Sequence, residues 1–148
     1  MDFTTLTTAI NSNPDNNWDW DALSRNTNIT LAFINLHPTK PWDYYSLSYN
    51  PSITFAEIIA NQGHAWNWDK VSCRQDLTMQ NILDNPGEAW NWDNLSRNNA
   101  ITIDDVRNNI DKPWNFQLVT KYKNATLDDI TNYPTKGWCC KSLCSKYN

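Results

Sequence analysis

Residues 90–106 read WNWDNLSRNNAITIDDV, and this stretch recurs with small changes along most of the chain. Its first tryptophan returns every 24 residues without an insertion or deletion. The six copies are Trp18, Trp42, Trp66, Trp90, Trp114 and Trp138. A fixed interval of this size indicates repeated copies of one supersecondary unit, each of which needs its neighbours to bury its apolar face. The stretch therefore predicts a repeat protein.

The second half of each copy has the pattern of a helix N-terminus. A threonine recurs with an apolar residue before it and another four residues after it, the positions of an N-cap and a hydrophobic staple. The threonines are Thr30, Thr54, Thr78, Thr102 and Thr126. In three copies an acidic residue three positions later (Glu57, Asp105, Asp129) adds a capping box. We expect a helix to begin after each threonine, and prolines to follow its end. Those prolines are Pro38, Pro86 and Pro134.

The first half of each copy predicts a second short helix, and we expect both kinds of helix to be roughly eight to ten residues long. Pro41 and Pro113 precede their tryptophans, and proline favours the first turn of a helix. Asp19 and Asp43 follow theirs and would place negative charge in that turn. An asparagine stands where the helix would end, since asparagine tolerates the left-handed C′ conformation. These asparagines are Asn26, Asn50 and Asn98.

Together these patterns predict an all-α fold in which helix-turn-helix units of 24 residues stack as a small α-solenoid. The competing interpretation is a β-strand in runs such as Ile29 to Ile34, but these runs lack sustained alternation, and capping boxes have no meaning in a strand. We expect one domain, 1–148, with units starting near residues 14, 38, 62, 86 and 110. Residues 2–13 would form an N-terminal half-unit, and residues 134–148 a C-terminal half-unit that caps the stack.

No pattern in the sequence predicts catalysis, a cofactor or a metal site. The chain has no glycine-rich phosphate loop, and the serine that recurs from Ser24 onward has no histidine in register, so its hydroxyl should bond back to the helix backbone. His37 aligns with residues expected at helix ends. Three cysteines cluster near the C-terminus, namely Cys139, Cys140 and Cys144. A zinc site would need a second pair of ligands elsewhere, so we expect a packed or redox-variable cap instead.

Charge is unevenly distributed along the chain. Residues 1–111 contain six basic and fourteen acidic residues, a net charge of −8, whereas residues 112–148 contain six lysines and two acids, a net charge of +4. The lysines are Lys112, Lys121, Lys123, Lys136, Lys141 and Lys146. They are candidate interaction residues for nucleic acid, an acidic protein or the acidic part of another copy. The alternative is a solvated terminal unit that is lysine-rich for solubility.

The repeat resembles a known family. The pattern N-P-x-x-x-W-x-W-x-x-L-S-x-N-x-x-I-T, here Asn13-Pro14 through Ile29-Thr30, is similar to the tryptophan-rich repeats of nucleocytoplasmic large DNA viruses such as marseilleviruses and mimiviruses. The resemblance extends from about Asn13 to Tyr133 and weakens where Cys139-Cys140 replaces the usual pair. It implies a giant-virus source and a location in an infected host cell, in the cytoplasm or viral factory or packaged in the virion. It implies no activity.

These observations predict a non-enzymatic viral interaction or scaffold protein that binds a viral or host macromolecule, most simply a protein, through a helical-repeat surface. The alternative is a nucleic-acid-associated protein that uses the lysine-rich end on the phosphate backbone. Self-association through oppositely charged ends is a further option. We expect no membrane span, because no apolar run approaches about 20 residues, and no secretion, because Met1 to Pro14 is polar and acidic.

Overall fold

The computed structural model describes residues 3–14 and 16–144, and these residues form short α-helices with no β-strand among them. The all-α prediction is confirmed. Contacts divide the chain into two compact units, unit 1 (Met1–Val71) and unit 2 (Ser72–Asn148). Unit 1 contains α1 (Phe3–Ser12), α2 (Trp20–Arg25), α3 (Leu31–Leu36), α4 (Tyr44–Leu47), α5 (Phe55–Ala60) and α6 (Trp68–Val71). Unit 2 contains α7 (Met79–Asp84), α8 (Trp92–Arg97), α9 (Ile103–Asn108), α10 (Phe116–Tyr122), α11 (Leu127–Asn132) and α12 (Cys140–Cys144).

The second helix of each copy begins as the sequence predicts. Each of the five recurring threonines is the N-cap of its helix, with extended backbone angles. The capping boxes at Thr54 and Thr102 close through Glu57 and Asp105. A third, at Thr78, closes through the Asn81 side chain, which the search for acidic residues overlooked although an amide oxygen accepts the same bond. At Thr126 the Asp129 carboxylate accepts from the backbone N–H.

The first helix of each copy starts two residues later than predicted. The leading tryptophan precedes the helix, and the next residue is the N-cap, as shown by Asp19, Asp43, Asn91 and Asn115. Asp19 and Asp43 therefore do not act as first-turn charges, because their carboxylates accept directly from the backbone N–H groups of the helix. An oxygen acceptor at this position satisfies a donor that no intrahelical carbonyl can reach.

The predicted helix length is wrong. α1 has ten residues, but α2 to α12 have between four and seven. One reason is the late start of the first helix. The other is a side-chain cap, since the indole N–H of the leading tryptophan donates to the backbone carbonyl five residues earlier, at or just after the end of the preceding helix. All six leading tryptophans form this bond, at 2.8–3.0 Å.

The recurring asparagines do not adopt the left-handed conformation that was predicted for them. Asn26 and Asn98 are extended, with φ of −73° and −68°. Instead, the side-chain amide reaches the preceding copy: Asn50 donates to the carbonyls of Ser24 and Asn26, at 3.0 and 3.1 Å. Asn98 donates to the carbonyls of Ser72 and Arg74, at 2.9 and 2.8 Å. These asparagines therefore tie one copy to the one before it.

The recurring serine hydroxyl makes a second kind of bond between copies. As predicted, it bonds back to its own helix, for example from Ser24 to the Trp20 carbonyl at 2.7 Å. It also accepts from the backbone N–H of the residue 19 positions later, as Ser24 does from Asp43 and Ser72 does from Asn91, both at 2.9 Å. Because these serines are fully buried, both bonds replace water that the hydroxyl could not reach.

Apolar staple residues fill the interior of each unit. In unit 1 these include Ile29, Ile34, Ile53 and Ile58, and in unit 2 they include Leu77, Ile82, Ile101 and Val106, all buried. The second aromatic residue of a copy packs edge-on against the leading tryptophan of the next, with ring centroids 4.9 Å apart for Trp20–Trp42 and 4.8 Å for Trp92–Trp114. Edge-to-face packing adds to the burial of both rings. No helix in the described part of the chain is long and apolar enough to cross a membrane.

Candidate interaction surface

Two positions of the repeat, the third and seventh after each leading tryptophan, point away from the buried columns. We call them the outer positions. In unit 1 they are Asp21, Arg25, Tyr45, Tyr49 and Asp69, and in unit 2 they are Cys73, Asp93, Arg97, Gln117, Lys121 and Lys141. All of them are exposed except Cys73, which is half-buried. They are one helical turn apart, so each pair presents neighbouring side chains to solvent.

Tyrosines occupy the outer positions of the second copy, where the first copy carries an ion pair. Asp21 and Arg25 form that pair at 2.6 Å. At the equivalent places Tyr45 and Tyr49 remain 54% and 53% exposed. The Lys70 ammonium lies 4.4 Å from the centroid of the Tyr45 ring, in a cation–π contact. Two exposed aromatic side chains one turn apart are typical of a protein-binding hot spot.

Carboxylates lie close to this tyrosine pair. Asp43, the N-cap of α4, accepts from the Tyr45 backbone N–H and from the Ser46 hydroxyl. The hydrogen bond from Ser46 is the main cause that lowers the pKa of Asp43, so this carboxylate is ionised at neutral pH. Asp21 and Asp69 are exposed outer residues of the flanking copies. The tyrosine pair therefore has an acidic border.

The predicted lysine residues of unit 2 lie in different environments. Lys121 and Lys141 are exposed outer residues on α10 and α12, two helices that pack against each other. Lys112 and Lys136 are half-buried, and the Lys136 ammonium lies 3.8 Å from Asp111 and over the Phe116 ring. Lys146 lies outside the described residues. The structure therefore leaves Lys121 and Lys141 as the most accessible of the described set.

Lys123 is not a surface cation. Its side chain is 6% exposed, and its ammonium donates to the backbone carbonyls of Asn98 and Ile101. Tyr122 stands at the repeat position where Asn50 and Asn98 donate to the preceding copy, so Lys123 supplies the missing bond. Burial lowers the pKa of Lys123 to about 8. We therefore remove Lys123 from the candidate interaction residues.

A buried ion pair accounts for another group of charges in unit 2. The Arg107 guanidinium donates to both carboxylate oxygens of Asp129, at 2.7 and 2.9 Å, and to Asp104 at 2.8 Å. Asp129 is buried and also caps α11. The bond from Arg107 is the main cause that lowers the pKa of Asp129. These charges join α9 to α11 and are therefore part of the fold.

Three side chains of unit 1 form a hydrogen-bonded chain that was not predicted. The Tyr44 hydroxyl lies 2.7 Å from His64 Nδ1, and His64 Nε2 lies 3.1 Å from Asn35 Oδ1. The order resembles a nucleophile, base and orienting group. However, burial raises the pKa of Tyr44, which opposes formation of a nucleophilic phenolate. The imidazole also stacks on the Tyr44 ring, centroids 5.0 Å apart.

The repeat register explains this chain as packing. His64 aligns with Lys40 and Lys136, whose ammonium groups lie over the Trp20 and Phe116 rings, the counterparts of Tyr44. A residue 20 positions after the second aromatic therefore covers that aromatic in each of these copies. Aligning the copies at this position would have revealed the contact from sequence. His37, as predicted, lies at a helix end, as the C-cap of α3.

The clefts of unit 2 are shallow and offer little additional chemistry. One, of about 260 Å³, is lined by residues that include Tyr122, Lys123 and Asn124. Another, of about 380 Å³, is lined by the Arg107–Asp129 pair and Tyr133 among others. Among the described residues, no group of three or more histidine, cysteine and acidic side chains could hold a metal ion. Cys73, Cys139 and Cys140 are free thiols.

The chemically varied side chains of this protein are thus concentrated at the outer positions, while the constant ones form the links between copies. Tyr45 and Tyr49 had a signal in the sequence, because they interrupt a register that elsewhere carries Asp and Arg, as at Asp93 and Arg97. Comparison with protein-family models, with curated proteins and with solved structures gives no match.

Proposed function

We propose that this chain is a non-enzymatic interaction or scaffold protein that binds a viral or host protein through its outer positions. One observation carries the proposal: the residues that the repeat keeps constant are buried and hydrogen-bonded between copies, whereas the exposed outer positions change from copy to copy. A repeat protein keeps its fold with constant positions and acquires specificity with variable ones. We further propose that the copies stack as an α-solenoid.

The proposed source is a large DNA virus, and the proposed location is the infected host cell. Support comes from the resemblance of Asn13–Thr30 and its later copies to tryptophan-rich repeats of such viruses. The resemblance carries no activity, and the Tyr44–His64–Asn35 chain is accounted for by packing. The proposal therefore depends on the surface rather than on a catalytic group.

The test is affinity purification of the tagged full-length protein from infected cells, followed by identification of co-purifying proteins. An outer variant replaces two residues in each unit: Tyr45→Ser, Tyr49→Ser, Lys121→Gln and Lys141→Gln. A matched control replaces exposed apolar residues elsewhere, Leu36→Ser and Leu127→Ser. All three proteins should melt within a few degrees of each other, because exposed substitutions usually change stability by under about 0.5 kcal/mol.

We expect specific partners of the wild type to be lost from the outer variant and retained by the control. If the outer variant captures the same partners as the wild type, the outer positions are not the binding surface. If the control alone loses them, the surface lies on the second helices of the copies, around Leu36 and Leu127.

A nucleic-acid-associated function is the second candidate, and the exposure of Lys121 and Lys141 favours it. Against it, two of the predicted lysines are engaged within the fold, Lys123 with carbonyls and Lys136 with Asp111. Binding of labelled DNA and RNA should be measured over a range of salt concentrations. Phosphate binding would weaken steeply with salt and would be lost in Lys121→Gln/Lys141→Gln. Capture in cells that survives nuclease treatment would favour a protein partner.

A further inference from the structure

We propose that the tyrosine pair Tyr45–Tyr49 of one molecule docks the lysine pair Lys121–Lys141 of a second copy of this chain. The inference rests on the proposed interaction function and names one partner for it. It requires three features: an exposed aromatic surface with acidic neighbours, an exposed cationic surface of matching size, and a geometry that allows both to be used at once.

The aromatic side of the contact is in unit 1. Tyr45 and Tyr49 are one turn apart and more than half exposed, which is unusual for two neighbouring large rings in a chain whose other copies carry Asp or Arg there. Exposed tyrosines combine apolar rings with hydroxyl groups and are enriched at the centres of protein interfaces. Lys70 covers only one face of Tyr45, so Tyr49 and the second face of Tyr45 are available to a partner.

The border of the tyrosine pair favours a cationic partner. Asp43 is held ionised by the Ser46 hydroxyl, and Asp21 and Asp69 are the exposed outer residues on either side of the pair. Unit 1 has seven acidic and three basic residues in its sequence, a net charge of −4. Carboxylates next to aromatic rings attract ammonium groups and repel phosphates.

The cationic side of the contact is in unit 2. Lys121 and Lys141 are exposed outer residues on helices that pack together. Residues 112–148 have a net charge of +4. Contacts of the same chemistry already occur within the chain, where the Lys121 ammonium lies 4.9 Å from the Tyr122 centroid and that of Lys70 lies 4.4 Å from the Tyr45 centroid. The two surfaces are therefore complementary in charge and in contact type.

Because the two sides are different surfaces, the contact is heterologous. Each molecule that docks its lysine pair still presents its own tyrosine pair, so association either closes into a ring or extends. The wild-type protein should form species larger than dimers as its concentration rises, and higher salt should weaken them because the attraction is partly electrostatic.

The test is sedimentation velocity of the purified full-length protein over a roughly thousandfold range of concentration, at low and high salt. Two variants are compared with the wild type, Tyr45→Ser/Tyr49→Ser and Lys121→Gln/Lys141→Gln. Leu36→Ser/Leu127→Ser is the matched control, and circular dichroism and melting confirm that each variant is folded. Each variant alone should raise the dissociation constant for self-association by about tenfold or more, as loss of a hot spot does, while the control should not.

An equimolar mixture of the two variants separates this contact from other modes of association. The tyrosine-deficient molecule retains its lysines and the lysine-deficient molecule retains its tyrosines, so the mixture contains one intact contact and should form dimers that do not extend. A wild type that stays monomeric throughout overturns the self-association inference. Self-association that survives the tyrosine substitutions, or a mixture that stays monomeric, overturns the proposed contact.

Failure here and failure of the proposed function give different results. If the protein is monomeric but captures partners in cells through its outer positions, the interaction function stands and the partner is a different molecule. If it self-associates as described but the outer variant and the wild type capture the same partners in cells, the proposed function fails while this contact stands.

Discussion

The indole nitrogen of Trp66 lies 2.9 Å from the backbone carbonyl oxygen of Asn61 and donates a hydrogen bond to it. Asn61 is the C-cap of α5, so the tryptophan satisfies an acceptor that the helix itself cannot. The ring is also buried, at the boundary between two copies. One side chain therefore has two separable contributions to stability, from its apolar area and from its N–H group.

Substitution of Trp66 should separate these contributions. Trp66→Ala should lower the free energy of unfolding by about 3–5 kcal/mol, as for other large-to-small changes in a core. Trp66→Phe keeps most of the ring but leaves the Asn61 carbonyl without its donor, which should cost about 1–3 kcal/mol. Urea unfolding followed by circular dichroism measures both. A Trp66→Ala protein as stable as the wild type would show that the indole is not part of the core.

The amide of Asn98 should be essential for the link between copies. Asn98→Ala would leave the Ser72 and Arg74 carbonyls unsatisfied in a buried environment, so we expect a loss of about 2–4 kcal/mol. Asn26→Ala is the matched control, because Asn26 has the same place in the repeat but is half-buried. Urea unfolding of both variants should show a clearly smaller loss for Asn26→Ala. Equal losses would contradict the linking role of the buried amide.

Asp129 should make stability depend on acidic pH. The pKa of Asp129 is lowered mainly by the bond from Arg107, so the pair stabilises the folded state above the ordinary carboxyl pKa of about 3.9. This contribution is lost as pH falls through the lowered pKa of the folded state. Asp129→Asn should be less stable by about 1–3 kcal/mol at pH 7, with the difference shrinking toward pH 3. Exposed Asp128→Asn is the control in the same urea series.

Lys123 should have the opposite effect at alkaline pH. Burial lowers its pKa to about 8. Below that pH both the folded and the unfolded chain hold the proton, but between about 8 and 10.4 the unfolded chain binds more protons, so stability should rise with pH. The rise should be absent from Lys123→Met and present in the exposed control Lys121→Met. A fall instead would show that the bonds to the Asn98 and Ile101 carbonyls dominate and hold the ammonium form.

His64 should be replaceable by lysine if it covers Tyr44 for packing alone. Lys40 has the equivalent place over Trp20, so His64→Lys should change the free energy of unfolding by under about 0.5 kcal/mol. His64→Ala removes the stacked ring and should cost about 1 kcal/mol. Thermal unfolding distinguishes the two. Destabilisation by His64→Lys equal to that by His64→Ala would mean that the bonds to Tyr44 and Asn35 require the imidazole itself.

Local signals in the sequence were sufficient for the helix starts at the threonines. A cap, a staple and an acidic residue act over about five residues, so Thr54 and Thr102 could be identified without knowledge of the rest of the fold. The second aromatic positions and the prolines after the helices were also placed correctly, since their preferences are equally local. The all-α class followed from these features.

The errors concern side chains that act at a distance along the chain. Asn98 was interpreted from its backbone preference, but its amide bonds carbonyls 24 and 26 residues earlier, which no single copy reveals. Lys123 resembled a solvated cation, and its burial follows only from the absence of an asparagine at Tyr122. Within the candidate surface, the lysines were identified by composition, whereas Tyr45 and Tyr49 required a comparison of exposed positions between copies.

The bond from a backbone N–H to the serine hydroxyl of the preceding copy also constrains how such a gene can change in length. Ser24 receives the N–H of Asp43, and Ser72 that of Asn91, always across 19 residues. Duplication or loss of 24 residues by unequal recombination preserves every donor and acceptor, wherever the breakpoint falls within a copy. An indel of any other length moves the hydroxyl away from its partner. The family history of this chain should therefore be written in whole copies, with novelty introduced by substitution at the outer positions.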